Sequence, residues 1–101
     1  MTAVRVSKRA EADIARLTGF LREEFPAAAA ETFELIVSAI DLLADHPLLG
    51  RPVEHEQREL VISRGRSGYL ALYDYNVAAD TVVILAIRHQ REVGYTDPNE
   101  P

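Results

Sequence analysis

The sequence predicts a small α/β domain of the α+β type, in the order β-α-α-β-β-β, with an N-terminal helical hairpin packed on an antiparallel sheet. Three observations predict it. Apolar residues recur at helical spacing twice in the first half, and three strand-like runs fill the second half. The length of 101 residues, with 48% hydrophobic content, supports one core and leaves no room for a second. A single domain over residues 1–101 is therefore expected.

Taken in order, Val4 and Val6 alternate with Arg5 and Ser7, which predicts a short strand over residues 3–7 with one buried face. Ser7 is placed to cap a helix over residues 8–25, and Glu11 favours its positive end. Ala10, Ile14, Leu17, Leu21 and Phe25 give that helix one apolar stripe, and Pro26 ends it. The same proline suits the first turn of a second helix, expected over residues 26–45. Phe33, Ile36, Val37, Ile40 and Leu43 form its main stripe, widened by Leu35, Ala39 and Leu42, so it should pack on both its hairpin partner and the sheet. The segment His46-Pro47-Leu48-Leu49-Gly50-Arg51-Pro52 reads as a turn-rich connector. Strands are expected over residues 58–63, 69–76 and 81–88. Tyr69, Ala71, Tyr73 and Tyr75 alternate in the second of these, and the third, apolar on both faces, is expected at the sheet centre.

Composition narrows the function. The formal net charge of −5 weighs against a protein that works mainly by gripping a nucleic-acid backbone, because phosphate binding draws on clustered cations. The absence of cysteine excludes disulfides and thiolate metal sites. His46, His55 and His89 lack metal-ligand spacing, so neither a metal nor another cofactor is expected. With no signal-like or membrane-spanning run, the expectation is a soluble, cytoplasmic protein without a membrane partner. All cations but Lys8 are arginine, and several lie at the ends of the late strands: Arg64 and Arg66 after the first, Arg88, His89 and Arg91 around the end of the third. A meander brings those ends to one rim, suited to carboxylate or phosphate groups because guanidinium presents forked donors.

Three motifs then carry a resemblance: His-Pro-Leu-Leu-Gly-Arg-Pro, Arg-Ser-Gly-Tyr-Leu-Ala-Leu-Tyr and Ile-Arg-His-Gln-Arg-Glu. In this order, after a strand and a helical hairpin, they resemble the RelE/ParE superfamily of type II toxin–antitoxin toxins, or plasmid stabilisation proteins, over residues 2–95. The resemblance implies growth arrest by a toxin held in a heteromeric complex. RelE-like members cleave messenger RNA on the ribosome, whereas ParE-like members poison DNA gyrase. RelE-like enzymes carry cations on the strand leading into Ser-Gly-Tyr and an arginine directly after that tyrosine. Here that strand is Leu60-Val61-Ile62-Ser63, and Leu70 follows Tyr69. Cleavage by a 2′-hydroxyl needs a base, an acid and cationic stabilisation of phosphorus, and Leu70 provides none of these.

The ParE-like branch is therefore favoured: a DNA gyrase inhibitor that acts by binding, with no catalytic residues, and with Arg64, Arg66, Arg88, His89 and Arg91 as target-binding residues. The alternative is a RelE-like ribosome-dependent endoribonuclease using Arg64, Arg66, Arg91 and Tyr95. A third reading is a degenerate, non-toxic antitoxin-binding module. The partner implied by the resemblance is a ParD-like antitoxin with an acidic amphipathic tail, and the complex would bind operator DNA through the antitoxin. Leu35, Leu42, Leu48, Leu49 and Leu70 are the expected antitoxin-binding residues. Each assignment has a plainer competitor: Arg64 and Arg66 solvating a turn, Arg88 and His89 pairing with Glu92 or Asp74, the tyrosines filling the core.

Overall fold

Serine 7 shows how local chemistry starts the fold. Its side chain accepts a hydrogen bond from the Ala10 amide (3.1 Å) and caps α1, Lys8–Glu24, while its own amide donates to the Ile84 carbonyl (3.0 Å). The short strand before it, β1 (Ala3–Val6), is thereby tied to a strand near the other end of the chain. The computed structural model describes residues 1–64, 67–92, 94 and 95.

Helix α2 (Pro26–Leu42) follows α1 after Phe25, with Pro26 in its first turn. It is shorter than the periodicity suggested. Leu43 leaves the regular helix, and the His46 amide closes the turn onto the Leu42 carbonyl at 2.9 Å. Then come β2 (Arg51–Pro52), a short 3-10 turn over Glu54–Glu56, and three long strands: β3 (Arg58–Arg64), β4 (Ser67–Asn76) and β5 (Thr81–His89). The sheet order is β1-β5-β4-β3-β2. The meander β3-β4-β5 is antiparallel, as expected, but β1 joins β5 in parallel, so the five-stranded sheet is mixed. Here β4 is the middle strand; β5 lies beside it, covered by β1 only as far as Ile84.

Between Leu72 and Tyr73 the β4–β5 register slips by one residue, and Leu85 has no partner on β4. Pairing Tyr75 with Val82, Tyr73 with Ile84, Ala71 with Ile87 and Tyr69 with His89 puts these residues on one face of the sheet. That face meets Ala10, Ile36, Ile40 and Leu43 of the hairpin region and forms the core with Leu60 and Ile62. Tyr73, the largest fully buried side chain, donates its hydroxyl to the Pro47 carbonyl and accepts from the Gly50 amide, both at 2.8 Å. Gly50 is required by this contact: a Cβ there would lie 2.6 Å from the Tyr73 ring. The turn-rich connector is thus fastened by this phenol and by Arg58, whose guanidinium donates to the Gly50 carbonyl at 2.8 Å.

The helix stripes need correction at Phe25 and Phe33, which are 57% and 49% exposed; Phe20 is 75% exposed. Small and polar side chains replace them inside, with Ala10, Asp13 and Thr18 buried on α1 and Ala29 on α2. Phe33 lines a groove made by helical residues alone, so the sheet does not cover it.

Candidate functional site

The end of β5 and the turn after it gather the charged side chains that the sequence singled out, but divide them between two faces. Arg88 pairs with Leu70, and His89 with Tyr69, so the two point to opposite sides of the sheet. On the helix side the His89 ring meets Tyr69 edge-on, with centroids 5.3 Å apart. Its Nδ1 accepts from the Arg91 amide (3.1 Å), which leaves the ring proton of a neutral imidazole on Nε2. Arg91 is exposed. Arg64 ends β3 opposite Ser67 at the same end of the sheet, while its side chain and all of Arg66 lie outside the described residues.

Glu92 is the post of the turn. Its carboxylate accepts from the His89 amide (3.1 Å) and from Arg16 Nη1 (3.0 Å), its carbonyl from Arg88 Nη1 (2.6 Å), and its amide donates to the His89 carbonyl (3.0 Å). Burial pushes this carboxyl up, but the His89 amide and the Arg16 guanidinium outweigh it and hold it below the usual carboxylate range. Arg88 and His89 thus both meet Glu92, but each contact uses one backbone group: the Arg88 guanidinium reaches the Glu92 carbonyl and the His89 amide reaches the Glu92 carboxylate.

The outer face carries a second cluster that sequence reasoning missed. Glu59, only 7% exposed, accepts from Nε (3.2 Å) and Nη2 of Arg51 on one oxygen and from the Tyr95 hydroxyl (2.7 Å) on the other. Arg88 stacks over the Tyr95 ring, 5.3 Å from its centroid. Burial raises the Glu59 carboxyl, yet the bonds from Arg51 and Tyr95 and the charges of Arg51 and Arg88 leave it net lowered. The Tyr95 phenol is driven well above its ordinary value by burial and by the Glu59 carboxylate. At neutral pH Glu59 is an anion and Tyr95 a neutral donor already committed to it. The alternation Glu59, Val61 on one face of β3 is the signal in the sequence, but the partners that give Glu59 its meaning lie 8 and 36 residues away.

Beside this cluster lies apolar surface. Val61 is 56% exposed, and Leu70 lies between Val61 and Arg88 on the neighbouring strands. Leu70 is 8% exposed, the least accessible of the expected antitoxin-binding leucines, and stands in register between those two side chains. Leu35 is half-buried against the core. Leu42, Leu48 and Leu49 are 50–59% exposed, and Leu42, Leu49 and Val61 line one groove with Arg51. Among the described residues no group of three histidine or acidic side chains is arranged to hold a metal ion.

Residues 4–94 match the family described as the ParE toxin of type II toxin–antitoxin systems. The chain belongs to this family. The toxin is 39% identical to Toxin RelE3 of Caulobacter vibrioides over 92 residues, covering 91% of this chain and 98% of that relative. It is 41% identical to Toxin RelE1 of the same organism over 70 residues, covering 69% of this chain and 75% of the relative. Among solved structures, the toxin–antitoxin complex RelBE2 from Mycobacterium tuberculosis matches with a TM-score of 0.56 and 26% identity, over 90% of this chain and 93% of that one. The resemblance to the RelE/ParE superfamily and the fold it implied are thus correct for this toxin, and a cognate antitoxin is its partner class. No helix among its described residues is long and apolar enough to cross a membrane.

Proposed function

We propose that this toxin arrests growth by binding its target rather than by cutting RNA, on the ParE-like pattern in which the target is DNA gyrase. The observation that carries the reading is the Glu59 carboxylate bonded to the Tyr95 hydroxyl on the outer face. A nuclease using Tyr95 needs its phenol free to exchange a proton and needs cations around the scissile phosphate. Here the phenol is engaged and its proton is held more tightly than usual, and the two cations beside it are committed, Arg51 to the Glu59 carboxylate and Arg88 to the Glu92 carbonyl. Val61 and Leu70 supply no charge. The names of the Caulobacter relatives favour the ribonuclease reading instead, and the experiment decides between the two.

Expression of the chain alone should arrest growth with a DNA-damage response and inhibited supercoiling by purified gyrase, while transcripts stay intact. Transcripts cut at the ribosomal A site within minutes, with undamaged chromosomes, overturn the reading. Leu70→Arg should not create cleavage. Arg91→Ala should weaken arrest without lowering the melting temperature, because Arg91 is exposed and its backbone amide, not its side chain, holds the turn. Full toxicity in Arg91→Ala would remove this end of the sheet as the working surface.

The antitoxin, in this reading, is ParD-like, and the complex it forms binds operator DNA through the antitoxin. Its acidic amphipathic tail lies along Leu42, Leu48, Leu49 and Val61, with carboxylates meeting Arg51, whose side chain is 65% exposed.

A further inference from the structure

Strand β1 pairs with β5 only as far as Val6 opposite Ile84, and the Ser7 hydroxyl donates to the Leu85 carbonyl (3.2 Å) where that pairing stops. Beyond that point the amides of Ile87 and His89 face the side that β1 has left. Two carboxylates take the place of the missing strand: Asp13 Oδ2 accepts from Ile87 at 2.9 Å, and Glu92 Oε1 accepts from His89 at 3.1 Å. Arg16 joins them, with Nη2 3.5 Å from Asp13 and Nη1 3.0 Å from Glu92. Asp13 is 3% exposed on the apolar face of α1, a position where a carboxylate is costly unless its bonds are needed.

We propose that Arg16 is a positioning residue for the target-binding segment: through Asp13 and Glu92 it transfers the rigid placement of α1 to the turn that presents His89 and Arg91. This rests on the reading of that turn as the target surface and adds a helix residue that does not itself belong to it. The other ties on Glu92 come from Arg88 and His89, which belong to the same hairpin end. Among the described residues, Arg16 is the side chain that ties Glu92 to another element. Its side chain is 39% exposed, so the ion pair adds little to global stability, and its loss should loosen the turn while leaving the fold intact.

The test uses the whole chain with Arg16→Ala, Arg16→Lys, Glu92→Gln and the double variant Arg16→Ala/Glu92→Gln. Amide hydrogen exchange at Ile87 and His89, melting temperature and the dose needed for growth arrest are measured in each. Arg16→Ala should speed His89 exchange more than Ile87 exchange and raise the arresting dose about tenfold, with the double variant no weaker than the worse single one. Lysine at position 16 should recover part of both effects, since it can still reach one carboxylate but cannot fork between two. Unchanged arrest in Arg16→Ala, or two substitutions whose effects simply multiply, overturns the inference. Misassignment of the target would appear separately, as cut transcripts, and would leave this comparison readable.

Discussion

At the scale of single residues, Tyr73 carries the clearest stability prediction. Its hydroxyl satisfies a buried amide at Gly50 and a carbonyl at Pro47, so Tyr73→Phe leaves both without that partner while barely changing the packed volume. The expected cost is about 1–3 kcal/mol in urea unfolding, with no change in growth arrest, because the site lies away from β5's end. Period-two alternation in the sequence was enough to mark Tyr73 as core. It could not name the recipient of the hydroxyl, since that recipient lies 26 residues earlier in a connector legible only as proline and glycine. Asp13 was missed for a related reason. Helical spacing marks a face as apolar by its majority, and a lone carboxylate within it gains meaning only from the strand edge it meets.

Among the elements, the junction of β3 with the segment after β5 responds to acid. Glu59 has a lowered carboxyl in the fold, so its bonds to Arg51 and Tyr95 contribute fully above the ordinary carboxylate value and fade as pH falls through the lowered one. Melting temperature should therefore drop on the acid side, and Glu59→Gln should flatten that limb while lowering stability at neutral pH. An unaltered acid limb in Glu59→Gln would show that this cluster does not hold the segment. The strands themselves were well marked in the sequence because alternation and apolar runs report burial directly. Strand β2 was not, since two residues carry no period, and Phe25 and Phe33 were misplaced because spacing says which side chains share a face but not how far the opposing layer extends.

For the whole molecule, the antitoxin prediction depends on surface left open by so small a core. The exposed Leu42, Leu48, Leu49 and Val61 imply a partner that is acidic and partly disordered when free, burying on the order of 2,000 Å² in total with a negative heat-capacity change on binding. Calorimetry against the cognate antitoxin checks this, and a rigid partner with a small contact would count against it. Family and element order were legible because three motifs stand in order along the chain, but the parallel seat of β1 beside β5 was not, since no local pattern records which edge a short strand joins. The sharing of charges between two faces was not, for it depends on Leu85, the unpaired residue of β5. That residue acts as a parity switch. Everything before it keeps its facing whatever happens there, whereas pairing it with Leu72 in a regular ladder would carry Arg88 opposite Tyr69, toward the helices, and turn Ile87 outward opposite Leu70. A relative that lacked the residue would run straight through and offer the same faces from a strand one residue shorter, so comparisons among such toxins must place the bulge before comparing their charges.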